Sequence, residues 1–172
     1  MHTLGPVGLR SSGRGNEGVC VSSVHTEIYD VGYASGVFDM FHVGHLNILR
    51  KAREHCRTLV VGVASDEYIE QFKGARPVIP LSERCEIISA LAIVDEVVID
   101  RSSDKTLVWA ERPFDAIFKG DDWKETPRGL LLEQDMRQLG VEVVYFPYTL
   151  HTSSTRLRAY LDRAASLDHD AV

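Results

Sequence analysis

Apolar and polar positions follow two rhythms along residues 28–167. Five short runs are apolar and β-rich: 31-VGYAS-35, 58-TLVVGVA-64, 96-EVVID-100, 115-DAIFK-119 and 141-VEVVYFP-147. Several are largely apolar rather than alternating, which suits strands covered on both faces. Between them lie stretches with helical spacing, over 43–56, 66–73, 83–93, 104–112, 128–139 and 154–166. In the first, Leu46, Leu49, Ala52 and Cys56 make an apolar stripe that should face the sheet. The punctuation agrees with these ends. Ser82, with Pro80 ahead of it, is placed to cap the third helix, Gly140 to close the fifth, and Ser153 or Ser154 to cap the last. Alternation of this kind predicts an α/β fold: a single Rossmann-like, doubly wound parallel sheet of about five strands, with helices on both faces.

The same rhythm divides the chain. Residues 1–26 hold neither period and are dominated by Gly, Ser and Val, which predicts a flexible N-terminal tail. One domain is expected over 27–167 and a short second tail over 168–172. A formal net charge of -6 argues against a partner held by its bulk field, so no nucleic acid is expected. It leaves room for one small basic pocket. The cysteines, Cys20, Cys56 and Cys85, are far apart and form no CxxC pair, so neither a disulfide framework nor a zinc ribbon is indicated. A reducing cytoplasm is the expected compartment. No apolar run reaches the roughly 20 residues needed to span a bilayer, and no membrane insertion is expected.

In doubly wound sheets ligands bind beyond the carboxyl ends of the strands, where the strand order reverses. The first loop of that kind is 36-GVFDMFHVGH-45. His42 lies four residues before Leu46, and His45 four before Leu49, so both project from the sheet-facing side of the first helix at its N-terminal mouth. Gly44 leaves the space between them open. A helix start offers free N–H groups and the positive end of the dipole, a ready seat for phosphate. Two histidines at this spacing also fit zinc, which would want further ligands; His55 and His151 are poorly placed to supply them. Spacing alone leaves a phosphate site, a metal site and accident open.

More residues bear on the question. The segment GVFDMFHVGH closely resembles the signature G-(T/V/C)-F-D-x-x-H-x-G-H of the cytidylyltransferase-like nucleotidyltransferases. The stretch 63-VASDEYIEQFKGARPVIPLSER-84 resembles the family's second block, and 94-VDEVV-98 its third helix end and following strand. The run 119-KGDDW-123 looks like the G-D-D-W of glycerol-3-phosphate cytidylyltransferases, and 152-TSSTRLR-158 resembles the closing Ile-Ser-Thr-Thr motif. These occur in order over about residues 28–162.

The resemblance implies nucleotidyl transfer: a phosphate on a small phosphorylated alcohol attacks the α-phosphate of CTP, and a CDP-alcohol and pyrophosphate result. ATP with a sugar phosphate or a flavin precursor is the neighbouring alternative, and a nucleotide-binding module without turnover is another. By the same resemblance His42, His45 and Lys73 are catalytic. Gly36, Val37, Phe38, Asp39, Gly44, Gly120, Asp121, Trp123, Thr152, Ser153, Ser154 and Thr155 hold the nucleotide, and Lys73 and Arg84 the acceptor. For Arg84 the competing reading is a surface salt bridge, and for Asp39 a role in fixing the loop. Mg²⁺ is expected to ride on the triphosphate, and a homodimer is the assembly implied. Three positions depart from the pattern: Tyr148 stands where an Arg is expected, His151 where a Gly is, and Ala92 where the glycerol-3-phosphate cytidylyltransferases often have Arg. Loss of the Arg at 148 removes a bidentate phosphate clamp, so the acceptor stays open.

Overall fold

In the computed structural model, which describes residues 28–147 and 153–169, five strands form one sheet. They are β1 (Tyr29–Gly36), β2 (Cys56–Ala64), β3 (Glu96–Asp100), β4 (Ala116–Gly120) and β5 (Glu142–Phe146). Every neighbouring pair is parallel and the order is β3-β2-β1-β4-β5. The chain therefore moves outward from β1 in one direction and then crosses back to β4. That reversal puts the switch point between the carboxyl ends of β1 and β4.

Among the described residues six α-helices connect and flank these strands: α1 (Val43–Glu54), α2 (Asp66–Lys73), α3 (Leu81–Ser89), α4 (Lys105–Glu111), α5 (Pro127–Gln138) and α6 (Ser154–His169). On one face, Leu49 and Ala52 of α1 and Ile88 of α3 pack with Val61, Val63, Phe118 and Phe146. On the other, Val108 of α4 and Leu132 and Met136 of α5 pack with Tyr33, Val60 and Ile117. Residues 59–64 of β2 are all buried, which is the two-faced cover that its unbroken apolar run requires. Gly62 is needed there, because a Cβ would lie 1.9 Å from the Tyr33 hydroxyl.

Helix ends follow their capping chemistry. The Ser65 Oγ accepts from the Tyr68 N–H, and Gly74 closes α2 in the left-handed region at φ 73°. Thr126 caps α5 with Pro127 behind it, and Gly140 follows that helix at φ 71°. Three expected ends differ. Cys56 is not the last residue of the α1 stripe but the first of β2, paired with Tyr29, because the His55 N–H closes the helix on the Ala52 carbonyl. Helix α3 begins at Leu81, with Pro80 at its cap position and no side-chain cap, so Ser82 lies inside the first turn. That helix also stops at Ser89, short of the expected 93; Leu91 and Ile93 lie in the turn that follows and pack on the core. Helix α6 runs to His169, past the end expected for it. The expected N-terminal tail, Thr152, Tyr148 and His151 lie outside the described residues. No helix among the described residues is long and apolar enough to cross a membrane.

Candidate active site

The loop after β1 is bent in a way ordinary residues resist. Phe38 at φ 54° and Met40 at φ 48° both occupy the left-handed region, which is strained for non-glycine residues and persists only where surroundings over-determine it. Three elements supply that restraint. Asp39, 4% exposed, accepts the N–H groups of Val78 (3.0 Å) and Ile79 (2.9 Å) and the Arg158 guanidinium (2.9 Å). The Ser154 hydroxyl donates to the Asp39 carbonyl at 2.8 Å. Arg84 donates to the Val37 carbonyl at 2.6 Å. Burial works against the Asp39 charge, but the Ile79 and Val78 N–H groups and Arg158 hold its carboxyl below the usual range.

This loop delivers the two histidines. His42 is the N-cap of α1, its Nδ1 accepting from the Gly44 N–H at 3.0 Å. In the neutral ring the proton therefore sits on Nε2, which is left as a donor. His45 stacks on His42 with ring centroids 3.9 Å apart and packs edge-on against Phe38 at 5.3 Å. Burial, and then the neighbouring His42, push the His45 pKa down to about 4. Its Nδ1 is buried without a hydrogen-bond partner among the described residues, an arrangement that native interiors rarely leave unexplained. No third His, Cys, Asp or Glu joins the pair to make a metal cluster among the described residues.

The pair opens into a cavity of about 1150 Å³ along the carboxyl edge of the sheet. That exceeds the roughly 300–1,000 Å³ of a site for one drug-sized ligand. Gly36, Val37, Phe38 and Asp39 line it from β1 and its loop, and His42, Gly44 and His45 from the start of α1. Lys73 reaches its rim from the last turn of α2. Gly120 and Trp123 come from the end of β4 and the turn after it. Ser153, Ser154 and Thr155 line it from the start of α6, where the Ser153 Oγ accepts from the Arg156 N–H as a cap. Asp121 is exposed and lies off this wall.

Arg84 must be reassigned. Its side chain is fully buried, lies away from the cavity, and spends its donors on the Ile79, Val37 and Ala64 carbonyls and on the Asp66 carboxylate. It neither holds an acceptor nor forms a surface salt bridge; it ties the β1 and β2 loops to α3.

Other polar groups at this edge were not singled out by motif. Lys119, at the end of β4, is 4% exposed yet faces the cavity, with its Nζ 2.8 Å from the Ser35 Oγ and 4.6 Å from the Trp123 ring centre. Asp100 and Lys105 form a buried pair at 2.6 Å, and the Tyr33 hydroxyl donates to the same carboxylate at 3.2 Å. Arg158 bridges Asp39 and the Arg76 carbonyl. A lysine ending the otherwise apolar run 116-AIFK-119 of a two-face-covered strand is the signal that could have marked Lys119.

Known proteins bear on what these residues are. The Cytidylyltransferase-like family model matches residues 33–160. The chain belongs to that family. Among curated members, an FAD synthase from Thermococcus sibiricus is 39% identical over 115 residues, covering 66% of this chain and 77% of that protein. A bifunctional protein HldE from Hyphomonas neptunium is 34% identical over 131 residues, covering 75% of this chain but only 26% of that protein. The chain thus spans about a quarter of the length of the HldE relative. A solved structure of a lipopolysaccharide core biosynthesis protein from Thermoplasma volcanium superposes with a TM-score of 0.60 at 27% identity, over 72% of this chain and 99% of that one. For a cytidylyltransferase-like chain, the strained β1 loop, the histidine mouth of α1 and the α6 start are the parts of the matched region that meet in one cavity.

Proposed function

We propose that this chain transfers a nucleotidyl group from a nucleoside triphosphate to the phosphate of a small acceptor, releasing pyrophosphate. The observation that carries the reading is the stacked His42–His45 pair at the mouth of α1, opening into a cavity large enough for two substrates. An acceptor phosphate oxygen attacks the α-phosphorus, the bond to the bridging oxygen breaks, and its electron pair leaves with pyrophosphate. Such a transfer asks the protein for positioning and charge stabilisation. The histidines donate hydrogen bonds where charge builds, and the free N–H groups of α1 and α6 receive phosphate oxygens. The triphosphate enters with its Mg²⁺, and Lys73 at the rim meets it as a point charge.

The likeness to an FAD synthase supports ATP as donor, since FAD is an adenylate joined to a flavin phosphate. The run 120-GDDW-123, with Trp123 on the cavity wall, supports the second reading, CTP with a phosphorylated alcohol. The test measures pyrophosphate release from ATP and from CTP, with Mg²⁺, against phosphorylated alcohols, sugar phosphates and flavin mononucleotide. One nucleotide–acceptor pair is expected to turn over, and His45→Ala to lower its rate by about 10²–10³-fold. Absence of release with every pair overturns the reading. Unchanged release in His45→Ala removes the histidines from the chemistry.

A further inference from the structure

We infer that Lys119, beside Ser35 at the β1–β4 switch point, is the anchor for the acceptor's phosphate, a role that rests on the nucleotidyl-transfer reading of the cavity. The sheet separates two corners of that cavity. The histidines enter from α1, which packs with Phe118 and Phe146 on one face. Lys119 is two residues along β4 from Ile117, and Ser35 two along β1 from Tyr33, so both point to the opposite face, where α4 and α5 pack. A reaction between two anions needs a positive seat for each, and in this reading the histidine mouth, Lys73 and the α6 start are all taken by the triphosphate.

The state of Lys119 shows that it awaits an anion. Its ammonium has three donors, and Ser35 takes two of them, through Oγ at 2.8 Å and the carbonyl at 3.4 Å. No carboxylate pairs with it among the described residues. Asp100, the nearest candidate in the buried cluster, is already committed to Lys105 and Tyr33. The Trp123 face offsets part of the charge. Burial, then repulsion from Lys105 on α4, push the Lys119 pKa down to about 7, against the weaker pull of Asp100 on β3 and Asp122 in the turn after β4. A buried amine that is half-charged near neutrality, lines a cavity and lacks a counter-ion gains its missing partner when a phosphate arrives. Binding then draws a proton onto Lys119.

Two measurements test this on the full chain. The first is calorimetry with inorganic phosphate at pH 8, in Tris and in HEPES. Wild type is expected to bind with a heat that differs between buffers, marking proton uptake, and Lys119→Met to bind at least tenfold more weakly. The second is steady-state kinetics with the pair that turns over. Lys119→Met is expected to raise the acceptor KM by roughly ten- to a hundredfold and to leave the nucleotide KM within about twofold. Its melting temperature at pH 7 should equal or exceed that of wild type, because a buried unpaired charge has been removed. Lys119→Gln, which keeps the reach without the charge, repeats the test should the Met variant not fold. Equal phosphate binding in both proteins, no phosphate binding in wild type, an unmoved acceptor KM, or a nucleotide KM that rises in step overturns the assignment. If wild type alone binds phosphate but no pair turns over, the anion site stands and the transfer reading falls. Turnover that Lys119→Met matches is the reverse.

Discussion

Arg84 carries the clearest lesson about single side chains. A guanidinium with no exposure and four hydrogen-bonded contacts is held in one geometry, and three of its acceptors are main-chain carbonyls. Replacing it with Met leaves those carbonyls short of a donor and the Asp66 carboxylate without its cation. Breaking a buried pair from one side costs about 3–5 kcal/mol. Arg84→Met is therefore expected to lower the urea midpoint steeply, and Arg84→Lys to recover little, since one ammonium cannot span the Val37, Ala64 and Ile79 carbonyls together. Chemical denaturation followed by circular dichroism checks both. An acceptor-binding arginine predicts the opposite pattern, a lost rate with stability intact. In sequence Arg84 and Lys119 are both cations beside motifs, and the resemblance singles out Arg84 rather than Lys119. What separates them is which partners the fold brings beside each, one surrounded by acceptors and the other by a serine and an indole. That information is tertiary, and no periodicity contains it.

At the scale of elements, Asp39 joins the β1 loop, the segment before α3 and the start of α6 through one buried carboxylate. Asp39→Ala removes acceptors from two main-chain N–H groups and from Arg158 at once. With hydrogen bonds to a charged group worth about 1.5–3 kcal/mol, the loss should fall at the upper end or above it. Amide exchange is expected to accelerate at Val78, Ile79 and the first turn of α6, while the α4–α5 face keeps its protection. Uniform acceleration would count against Asp39 as a local tie. The elements themselves were legible because their signals are short-range. Apolar runs marked covered strands, and glycine or hydroxyl residues marked helix ends, as Gly140 and Ser153 show. Misreadings came where two local signals compete. Residues 91–93 have a helix-like apolar composition, but the chain turns there and Leu91 and Ile93 pack on the core. Cys56 keeps the spacing of the α1 stripe, but its backbone is taken by the ladder with Tyr29. The histidine mouth was legible as a place, because strand, glycine and helix start are consecutive; the opposite corner, built from β1, β3, α4 and β4, was not.

For the whole molecule, the buried titratable groups set an unusual pH profile. His45 holds a pKa of about 4 in the fold and an ordinary value near 6.5 once unfolded. Between those values the unfolded chain binds the extra proton, so stability rises with pH there and is lost as pH falls toward 4. Asp39, whose carboxyl is held low, adds a loss of the same sign at still lower pH. Lys119 acts on the alkaline side. Its folded value of about 7 lies below the ordinary 10.5, so from 7 to 10.5 the unfolded chain again holds the extra proton and stability climbs further. Tyr33 works against the climb: burial, then the Asp100 charge, raise its phenol above the ordinary 10, so the folded chain keeps a proton that the unfolded chain gives up. Thermal midpoints measured from pH 4 to 10.5 should therefore rise through the acid range and continue upward past 7, turning down once the Cys56 and Cys85 thiols, which burial raises in the fold, ionise in the unfolded chain above about 8.5. His45→Gln is expected to flatten the limb between 4 and 6.5 and leave the alkaline limb intact. Lys119→Met should do the reverse, with its stability advantage over wild type at full size below pH 7 and shrinking from there as the pH approaches 10. An alkaline limb that persists in Lys119→Met would place its source elsewhere and would show that the amine at the switch point is already neutralised in the free protein.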